Sequence, residues 1–193
     1  LESQLLFDIL QPLSPIMLAI SAASPFAMGY LKKGDTRWDI VSDSVTDQVN
    51  PGSETKSRYD MCDCYLHPDN SNYNDIPIEI NKENYIKLVE NDIPNNIATY
   101  VDQILNFDPV LVFNNDNLEF KSHQSTVWQN VRWKIPSSTS ESWRVEFRTM
   151  EIQLTDFENT AMVLFTVLYA RACQMFNVDH CINISKNNNN MKI

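Results

Sequence analysis

The sequence predicts an α+β fold, in which a pair of antiparallel strands is combined with helices. Residues 127–135 and 143–149 both alternate between apolar and polar side chains, and the polar segment between them supplies a turn. A long apolar helix is predicted directly after the second strand, over about 156–176. Because strands and helices do not alternate regularly along the chain, the order favours α+β over a parallel β-α-β architecture.

The start of the chain predicts two helices. Residues 1–26 indicate a helix, a proline break and a second helix, since Pro15 suits a first-turn position and Ser24-Pro25 favours a stop. A loop containing glycines follows. We expect Ile40 and Val41 to end a short strand after that loop.

The middle of the chain predicts a loop and two more helices. Residues 43–75 are rich in Asp, Asn and Ser, which is typical of loops. Asn81 is a suitable cap for a helix over 82–91, and a helix over 95–106 follows Pro94. The apolar stripe of that last helix consists of Ile97, Tyr100, Val101 and Ile104.

The helix over 156–176 has a defined start. Thr155 and Glu158 have the spacing of a capping box. Because this helix is apolar nearly all round, we expect it to be buried. The run of asparagines at 187–190 is of low complexity and predicts a surface insertion.

The composition excludes several classes of function. With 15 basic and 25 acidic side chains, the formal net charge is −10, which argues against binding to nucleic acid or to a membrane surface. Only three glycines occur, so no glycine-rich phosphate loop can form. The longest apolar stretch, at 161–170, is too short to span a membrane, and no signal peptide is visible.

The cysteines favour structural thiols over a metal site. Cys62 and Cys64 are too close in sequence to bridge readily, and Cys173 lies within a helical pattern. The histidines are scattered along the chain, whereas zinc requires clustered ligands. We therefore expect free thiols and a reducing, cytoplasmic compartment.

Charged residues are concentrated on one face of the second predicted strand. Arg144, Glu146 and Arg148 share this face, because successive side chains of a strand point to opposite sides. Two interpretations remain open. The row could form a solvated face with cross-strand ion pairs. It could instead bind an anion through the guanidinium groups, with the carboxylate holding a metal ion.

The neighbouring strand favours the anion site. Trp128, Asn130, Arg132 and Lys134 share one of its faces. If the two polar faces converge, four cations and one carboxylate meet on a chain of net charge −10, which indicates an anionic ligand. Arg37 is a further candidate, in the loop sequence GDTRWD.

Several segments carry a resemblance to a known family. In chain order they are SPIMLAISAASPF with the following GYL and D-x-RW, then KSRYD, QST-x-WQ-x-VR and WRVEFR-x-MEIQLTDFEN. They resemble the catalytic subunit of eukaryotic glutamate–cysteine ligase, which performs the first step of glutathione synthesis. The resemblance runs from about residue 12 to the end, and its last block is too long to arise by chance.

The resemblance implies a fold and a domain. The family is similar to glutamine synthetase, whose antiparallel sheet forms a funnel-like active site flanked by helices. Since the family's enzyme is much longer, residues 1–193 are expected to be part of a single catalytic domain, truncated at both ends, with that sheet incomplete.

The resemblance also implies a reaction and its participants. The reaction joins the γ-carboxylate of L-glutamate to L-cysteine through a γ-glutamyl phosphate. ATP and the two amino acids are then the substrates, Mg²⁺ is the cofactor, and a modifier subunit is a further candidate partner. Carried over by position, Glu146 would ligate Mg²⁺, Arg148 would grip glutamate and Arg144 would lie near the ATP phosphates. Arg37 would be the second arginine on the α-carboxylate of glutamate, and Trp128 would form a wall of that pocket.

Two features leave an alternative open. Glu146 alone cannot complete a Mg²⁺ site, so the chain by itself is expected to be inactive. Where the family commonly has V-D-D-R, this chain has Val45-Thr46-Asp47-Gln48, which lacks the arginine. A homologue that has lost catalysis and serves as a binding or regulatory module therefore stays the second hypothesis.

Overall fold

The computed structural model describes residues 1–46, 56–107, 120–136 and 138–192. Both sheets in these ranges are antiparallel pairs set among helices, which confirms the α+β class. The helices are α1 (Glu2–Leu10), α2 (Leu13–Ser21), α3 (Trp38–Ser44), α4 (Lys82–Glu90), α5 (Asn95–Leu105), α6 (Phe120–Ser125), α7 (Asp156–Phe176) and α8 (Ile184–Asn190), with a 3₁₀ helix at Pro68–Tyr73. The strands are β1 (Phe26–Ala27), β2 (Tyr30–Leu31), β3 (Val131–Lys134) and β4 (Arg144–Phe147).

The predicted hairpin is present, with shorter strands than expected. β3 pairs with β4 so that Val131 lies opposite Phe147 and Trp133 opposite Val145. The indoles of Trp133 and Trp143 stack with their centroids 3.9 Å apart, which stabilises the end of the pair next to the connecting loop. The apolar face of the hairpin packs on α1.

Aromatic contacts connect this face to α5. The ring centroids of Phe7 and Tyr100 are 5.7 Å apart, and those of Tyr100 and Trp133 are 6.2 Å apart. Ile97, Tyr100 and Ile104 are buried, as the predicted stripe of this helix requires. The main core therefore lies between α1, α5 and the apolar side of the β3–β4 hairpin.

α7 begins as predicted but is not buried as predicted. Thr155 Oγ1 accepts a hydrogen bond from the Glu158 N–H, and Glu158 Oε2 accepts one from the Thr155 N–H, which forms the capping box. Only a narrow stripe of the helix is buried, at Thr166, Ala170 and Cys173. Met162 and Tyr169 are partly buried against the main core, whereas most of the other large apolar side chains of the helix are exposed among the described residues. They include Val163, Leu164, Phe165, Val167, Leu168 and Phe176.

Two further predictions were wrong for local reasons. Ile40 and Val41 belong to helix α3 and not to a strand, because Trp38, Val41 and Val45 follow helical spacing and pack in one cluster. The glycine-containing loop before α3 holds a short hairpin, β1–β2, whose turn places Met28 and Gly29 at positive φ.

The asparagine run is also not a surface insertion. It continues helix α8, and Asn187 is fully buried. Its Nδ2 donates to the Gln11 carbonyl at 3.0 Å. Asn188 Nδ2 donates to Asp63 Oδ1 at 2.8 Å. These amides act as specific hydrogen-bond donors to the core, which low complexity alone did not indicate.

Asp8 ties α1 to the segment that precedes the 3₁₀ helix. Its fully buried carboxylate accepts hydrogen bonds from the Leu66 N–H at 2.7 Å, the His67 N–H at 2.9 Å and Asn70 Nδ2 at 2.8 Å. Burial raises the pKa of Asp8 from 3.8 to about 7, although these three donors lower it.

The side chain of Asn130 connects three separate parts of the chain. Its Nδ2 donates to Gln11 Oε1 at 2.9 Å and to Ser14 Oγ at 2.8 Å, and its Oδ1 accepts from the Cys62 N–H at 2.8 Å. The residue is fully buried. All of its side-chain bonds therefore go to other protein groups, and they hold the α1–α2 junction against the residues before β3.

The backbone of Asn130 extends the same connection towards β4. Its N–H donates to the Asp60 carbonyl at 3.0 Å, and its carbonyl accepts from the Arg148 N–H at 2.9 Å. The position of Arg148 is thus fixed directly by this residue.

Among the described residues, no single helix is both long and apolar enough to cross a membrane. The bent pair of α1 and α2 meets that criterion jointly, by length and composition. Its apolar side chains include Phe7, Leu10, Leu13 and Met17, which belong to the main core.

Asp8 should make stability depend on pH. Between pH 4 and pH 7 the folded protein retains a proton that the unfolded chain has released, so the free energy of unfolding falls as the pH rises. Relative to Asp8→Asn, which cannot titrate, the wild type should lose on the order of 4 kcal/mol over this range. Urea unfolding at a series of pH values measures the difference. Asp92→Asn, at an exposed position, should follow the wild type, and parallel profiles for wild type and Asp8→Asn would contradict the prediction.

Asn130→Ala should destabilise the protein strongly. The substitution leaves a buried backbone N–H and two buried side-chain oxygens without their partner, so we expect a loss of about 2–4 kcal/mol in the free energy of unfolding. Urea unfolding measures it. Asn95→Ala, at an exposed position at the start of α5, is the control and should change stability by less than about 0.5 kcal/mol. An equal effect of the two substitutions would show that the connections of Asn130 contribute little.

Candidate active site

Charged residues of β3 and β4 meet on one side of the hairpin, as predicted. In the observed register Arg132 lies opposite Glu146 and Lys134 opposite Arg144. Their side chains share a face because alternate residues of paired strands point the same way. With Arg148, which follows β4, these residues form what we call the polar face.

Glu146 is the centre of the polar face. Its Oε2 lies 3.2 Å from Arg132 Nη1 and 3.0 Å from Lys134 Nζ, and its Oε1 lies 2.9 Å from Arg148 Nη1. Partial burial raises its pKa, but the hydrogen bonds from Lys134 and Arg148 and the charge of Arg132 outweigh this and lower the pKa below the usual value. The carboxylate is therefore ionised at neutral pH.

The charges on this face are not balanced within it. Arg132, Lys134 and Arg148 together contribute three positive charges to one carboxylate, and Arg144 adds a fourth beside Lys134. The two interpretations from the sequence, cross-strand ion pairs and an anion site, each describe part of the result. Ion pairs form, and positive charge remains after they have formed. The remaining charge suits an anionic ligand such as a phosphate or carboxylate.

A second group of residues adjoins the polar face at Arg148. The Arg148 guanidinium carbon lies 5.9 Å from the centroid of the Tyr59 ring, and the rings of Tyr59 and Trp38 have centroids 4.6 Å apart. Trp128 packs against the buried apolar cluster that contains both of these rings. We call Trp38, Tyr59 and Trp128 the aromatic cluster.

Arg37 is brought to the same cluster. Burial raises the pKa of the Tyr59 hydroxyl, while the positive charges of Arg37 and Arg148 both act on that hydroxyl in the opposite direction. Arg37 directly precedes Trp38, whose ring centroid is 4.6 Å from that of Tyr59, and Arg148 lies over the same Tyr59 ring, so two arginines that are far apart in sequence belong to the surroundings of one phenol. Such a pair of guanidiniums next to aromatic rings can hold a carboxylate in a bidentate manner.

Arg37 is held by a residue that the sequence analysis did not single out. The buried carboxylate of Glu151 accepts the Arg37 N–H at 2.7 Å through Oε1, and the same oxygen lies 3.8 Å from Arg37 Nε. Glu151 lies within the block that carried the family resemblance. The signal that could have identified Glu151 is its place in the sequence, three residues after Arg148 and just beyond the predicted strand.

Other site predictions need correction or stay open. Trp128 and Asn130 precede β3 and are not part of it, because Asn130 turns into the core. Arg144 lies on the polar face but pairs with Glu141 at 3.2 Å and does not contact Glu146. Arg58 is buried, with its guanidinium carbon 5.8 Å from the centroid of the Phe107 ring.

The described residues do not form a metal site by themselves. Within them, no group of three or more His, Cys, Asp or Glu side chains is placed to hold a metal ion. Glu146 offers oxygen ligands of the kind that Mg²⁺ prefers, but three cations already occupy them. The four cysteines are free thiols, as expected. Gln48 lies outside the described residues.

A large groove lies on the other side of the hairpin. It has a volume of about 1040 Å³ and is lined by apolar side chains of α1, β4 and α7, such as Leu6, Val145 and Val167. Because Val145 and Phe147 point away from the polar face, this groove is separate from the charged residues of the candidate site.

Comparisons with known proteins agree on one family. A family model described as glutamate–cysteine ligase matches residues 1–193. The chain is 40% identical over 205 residues to glutamate–cysteine ligase of Schizosaccharomyces pombe, an alignment that covers 99% of this chain and 31% of that protein. It is 41% identical over 212 residues to the glutamate–cysteine ligase catalytic subunits of Mus musculus and Homo sapiens, covering 100% of this chain and 33% of each. The chain thus spans about a third of the length of the curated relatives it matches.

Proposed function

The chain belongs to the glutamate–cysteine ligase family, and from this premise we propose that its protein joins the γ-carboxylate of L-glutamate to the amine of L-cysteine. The reaction consumes ATP and gives γ-glutamylcysteine, the first intermediate of glutathione synthesis. Within the protein, residues 1–193 are proposed to be one part of a single catalytic domain. The β3–β4 hairpin would then belong to a larger antiparallel sheet of the glutamine-synthetase type.

The position of Arg148 is the observation that carries this proposal. Its guanidinium contacts Glu146 on the polar face and also lies over Tyr59 in the aromatic cluster, whose Trp38 directly follows Arg37 in the chain. One arginine therefore joins a surface suited to phosphates to a pocket suited to a carboxylate. Glutamate held in that pocket by its α-carboxylate could extend its γ-carboxylate towards the phosphates, as a phosphoryl transfer to the γ-carboxylate requires.

The chemistry proceeds through two displacements. An oxygen of the γ-carboxylate attacks the γ-phosphorus of ATP, the bond to the bridging oxygen breaks, and ADP leaves with γ-glutamyl phosphate remaining. The amine of cysteine then attacks the acyl carbon, phosphate leaves, and the amine loses its proton. Neither displacement requires an acid or base among the arginines, which position the anions and balance their charge.

Each site residue has a proposed part in this scheme. Arg37 and Arg148 hold the α-carboxylate of glutamate, and Trp128 forms a wall of its pocket. Arg144 lies at the outer end of the polar face, where with Lys134 it would contact the ATP phosphates. The arginines are suited to these parts because their planar forks match carboxylate and phosphate oxygens.

We propose Mg²⁺ as the cofactor that accompanies ATP, with Glu146 as one of its ligands. When bound, the ion would neutralise charge on the transferred phosphoryl group. The other ligands would come from outside the described residues, since these contain no acidic cluster that could complete the site.

Two proposals concern the surroundings of the enzyme. The mammalian relatives are named catalytic subunits, which supports a modifier subunit as a partner. We place the protein in the cytoplasm because its four cysteines are free thiols. Nucleic acid and membranes are not proposed as partners, given the net charge of −10.

ADP release by the complete protein tests the function. With Mg-ATP, release should require glutamate together with cysteine and stop when either amino acid is omitted. Arg148→Lys keeps the charge but loses the planar fork, so kcat/KM for glutamate should fall about 100-fold. Arg171→Lys, on the exposed side of α7, is the matched control and should leave it unchanged. A folded protein that releases no ADP would favour the non-catalytic binding module and make Gln48→Arg the next variant.

The 193-residue chain alone should release no ADP. Its polar face contains one carboxylate, which cannot complete a Mg²⁺ site. The same coupled assay, run beside the complete protein at equal concentration and with circular dichroism to verify folding, measures this. Mg-dependent ADP release from the isolated chain would disprove the proposed division of the metal ligands.

A further inference from the structure

Glu151 differs from the other acidic residue of the candidate site, Glu146, in what surrounds it. The side chain of Glu151 is 2% exposed, whereas that of Glu146 is 32% exposed. Glu151 Oε1 accepts the Arg37 N–H, and its Oε2 accepts the hydroxyl of Ser24. A carboxylate buried this deeply, with donors on both oxygens, has one stable arrangement.

The backbone of Glu151 is fixed as well. Its N–H donates to Ser21 Oγ at 3.0 Å, and its carbonyl accepts from Gln153 Nε2 at 3.1 Å. Ser21 in turn donates through Oγ to the Met17 carbonyl at 2.6 Å, at the end of α2. The backbone of Glu151 is thus anchored to helix α2, which leaves its carboxylate in a fixed position next to Arg37.

The contact with Arg37 spans 114 positions of the chain. It joins the start of α3 to the segment that leaves β4 three residues after Arg148. Glu151 contacts the guanidinium through Nε at 3.8 Å, which is not one of the two terminal nitrogens. At that distance the side chains form an ion pair without a hydrogen bond, and the bond from the Arg37 N–H holds the residue. The terminal guanidinium nitrogens can therefore donate to a second carboxylate.

We infer that Glu151 is a positioning residue, which holds Arg37 beside Arg148 so that the two guanidiniums together bind one anionic carboxylate of the substrate. The inference rests on the proposed function for the identity of that substrate. It does not require Glu151 to touch the substrate or the reacting atoms. Loss of Glu151 should therefore weaken the binding of glutamate, because Arg37 would be displaced while the polar face keeps its geometry.

Steady-state kinetics of Glu151→Gln in the complete protein tests the inference. Gln keeps the shape and one acceptor but loses the charge and the second acceptor. KM for glutamate should rise about 10- to 100-fold, while kcat and KM for ATP change by less than about threefold. Glu151→Asp should recover part of the loss. Glu158→Gln, at the exposed start of α7, is the control and should leave all three constants unchanged.

A second readout does not depend on activity. Phenylglyoxal modifies arginines, and its rate at Arg37 can be followed by mass spectrometry with Arg144 as an internal standard. Both side chains are about half exposed, at 55% and 52%. Glu151→Gln should speed modification of Arg37 several-fold and leave Arg144 unchanged, because only Arg37 loses its carboxylate. If Glu151→Gln does not fold, Ser24→Ala, which removes one donor to Glu151, should change the rate in the same direction.

The outcomes separate this inference from the proposed function. A rise in KM for glutamate with faster modification of Arg37 supports the inference. The inference would be overturned if kcat and both KM values stayed unchanged. It would also be overturned if kcat fell and the KM values for glutamate and ATP rose by similar factors. If the wild type shows no glutamate-dependent ADP release, the proposed function fails. In that case the rate at which phenylglyoxal modifies Arg37 is the remaining test of the positioning role. An equal rate in the wild type and in Glu151→Gln would overturn that role.

Discussion

The buried amide of Asn130 is the contact on which the arrangement of the site depends. Its side chain bonds Gln11, Ser14 and Cys62, and its carbonyl accepts the N–H of Arg148. One residue thereby fixes the α1–α2 junction, the segment before β3 and the arginine shared by both halves of the site. A buried amide with every group bonded has few alternative arrangements, so it sets geometry more strictly than apolar packing would.

The polar face can tolerate its surplus charge because of where that charge lies. Arg132 is nearly buried beside Glu146, whereas Lys134 and Arg144 remain partly exposed to water. Burial lowers the pKa of Arg132, and the neighbouring charge of Arg148 lowers it further, while Glu146 opposes both. The carboxylate therefore stabilises the cluster when no ligand is present. A bound phosphate would take over part of that role and compensate the exposed cations.

Local pattern predicted the parts of the structure that depend on local spacing. Alternation predicted that Arg132 and Glu146 share a face, because a strand places every second side chain on one side. Local pattern could not predict the contact between Glu151 and Arg37, which joins distant segments of the chain. Nor could it predict that Asn187 is buried and donates a hydrogen bond to the Gln11 carbonyl. Helix α3 was mistaken for a strand because two adjacent apolar residues fit either structure until their packing partners are known. The roles proposed for Arg37 and Trp128 come from the family resemblance and not from periodicity.

The two glutamates that follow one another in and after β4 show how burial separates their roles. Glu146 is partly exposed and is bound by side-chain cations, two of which are partly exposed as well, so in the proposed site a ligand or metal ion would replace side-chain partners and not backbone ones. Glu151 is itself buried and is bound by a backbone N–H and a partly buried hydroxyl, and losing either would leave a buried carboxylate oxygen without its donor. In the proposed site the two carboxylates would therefore have different parts. Glu146 would exchange its partners when a ligand binds, and Glu151 would keep Arg37 in place during that exchange.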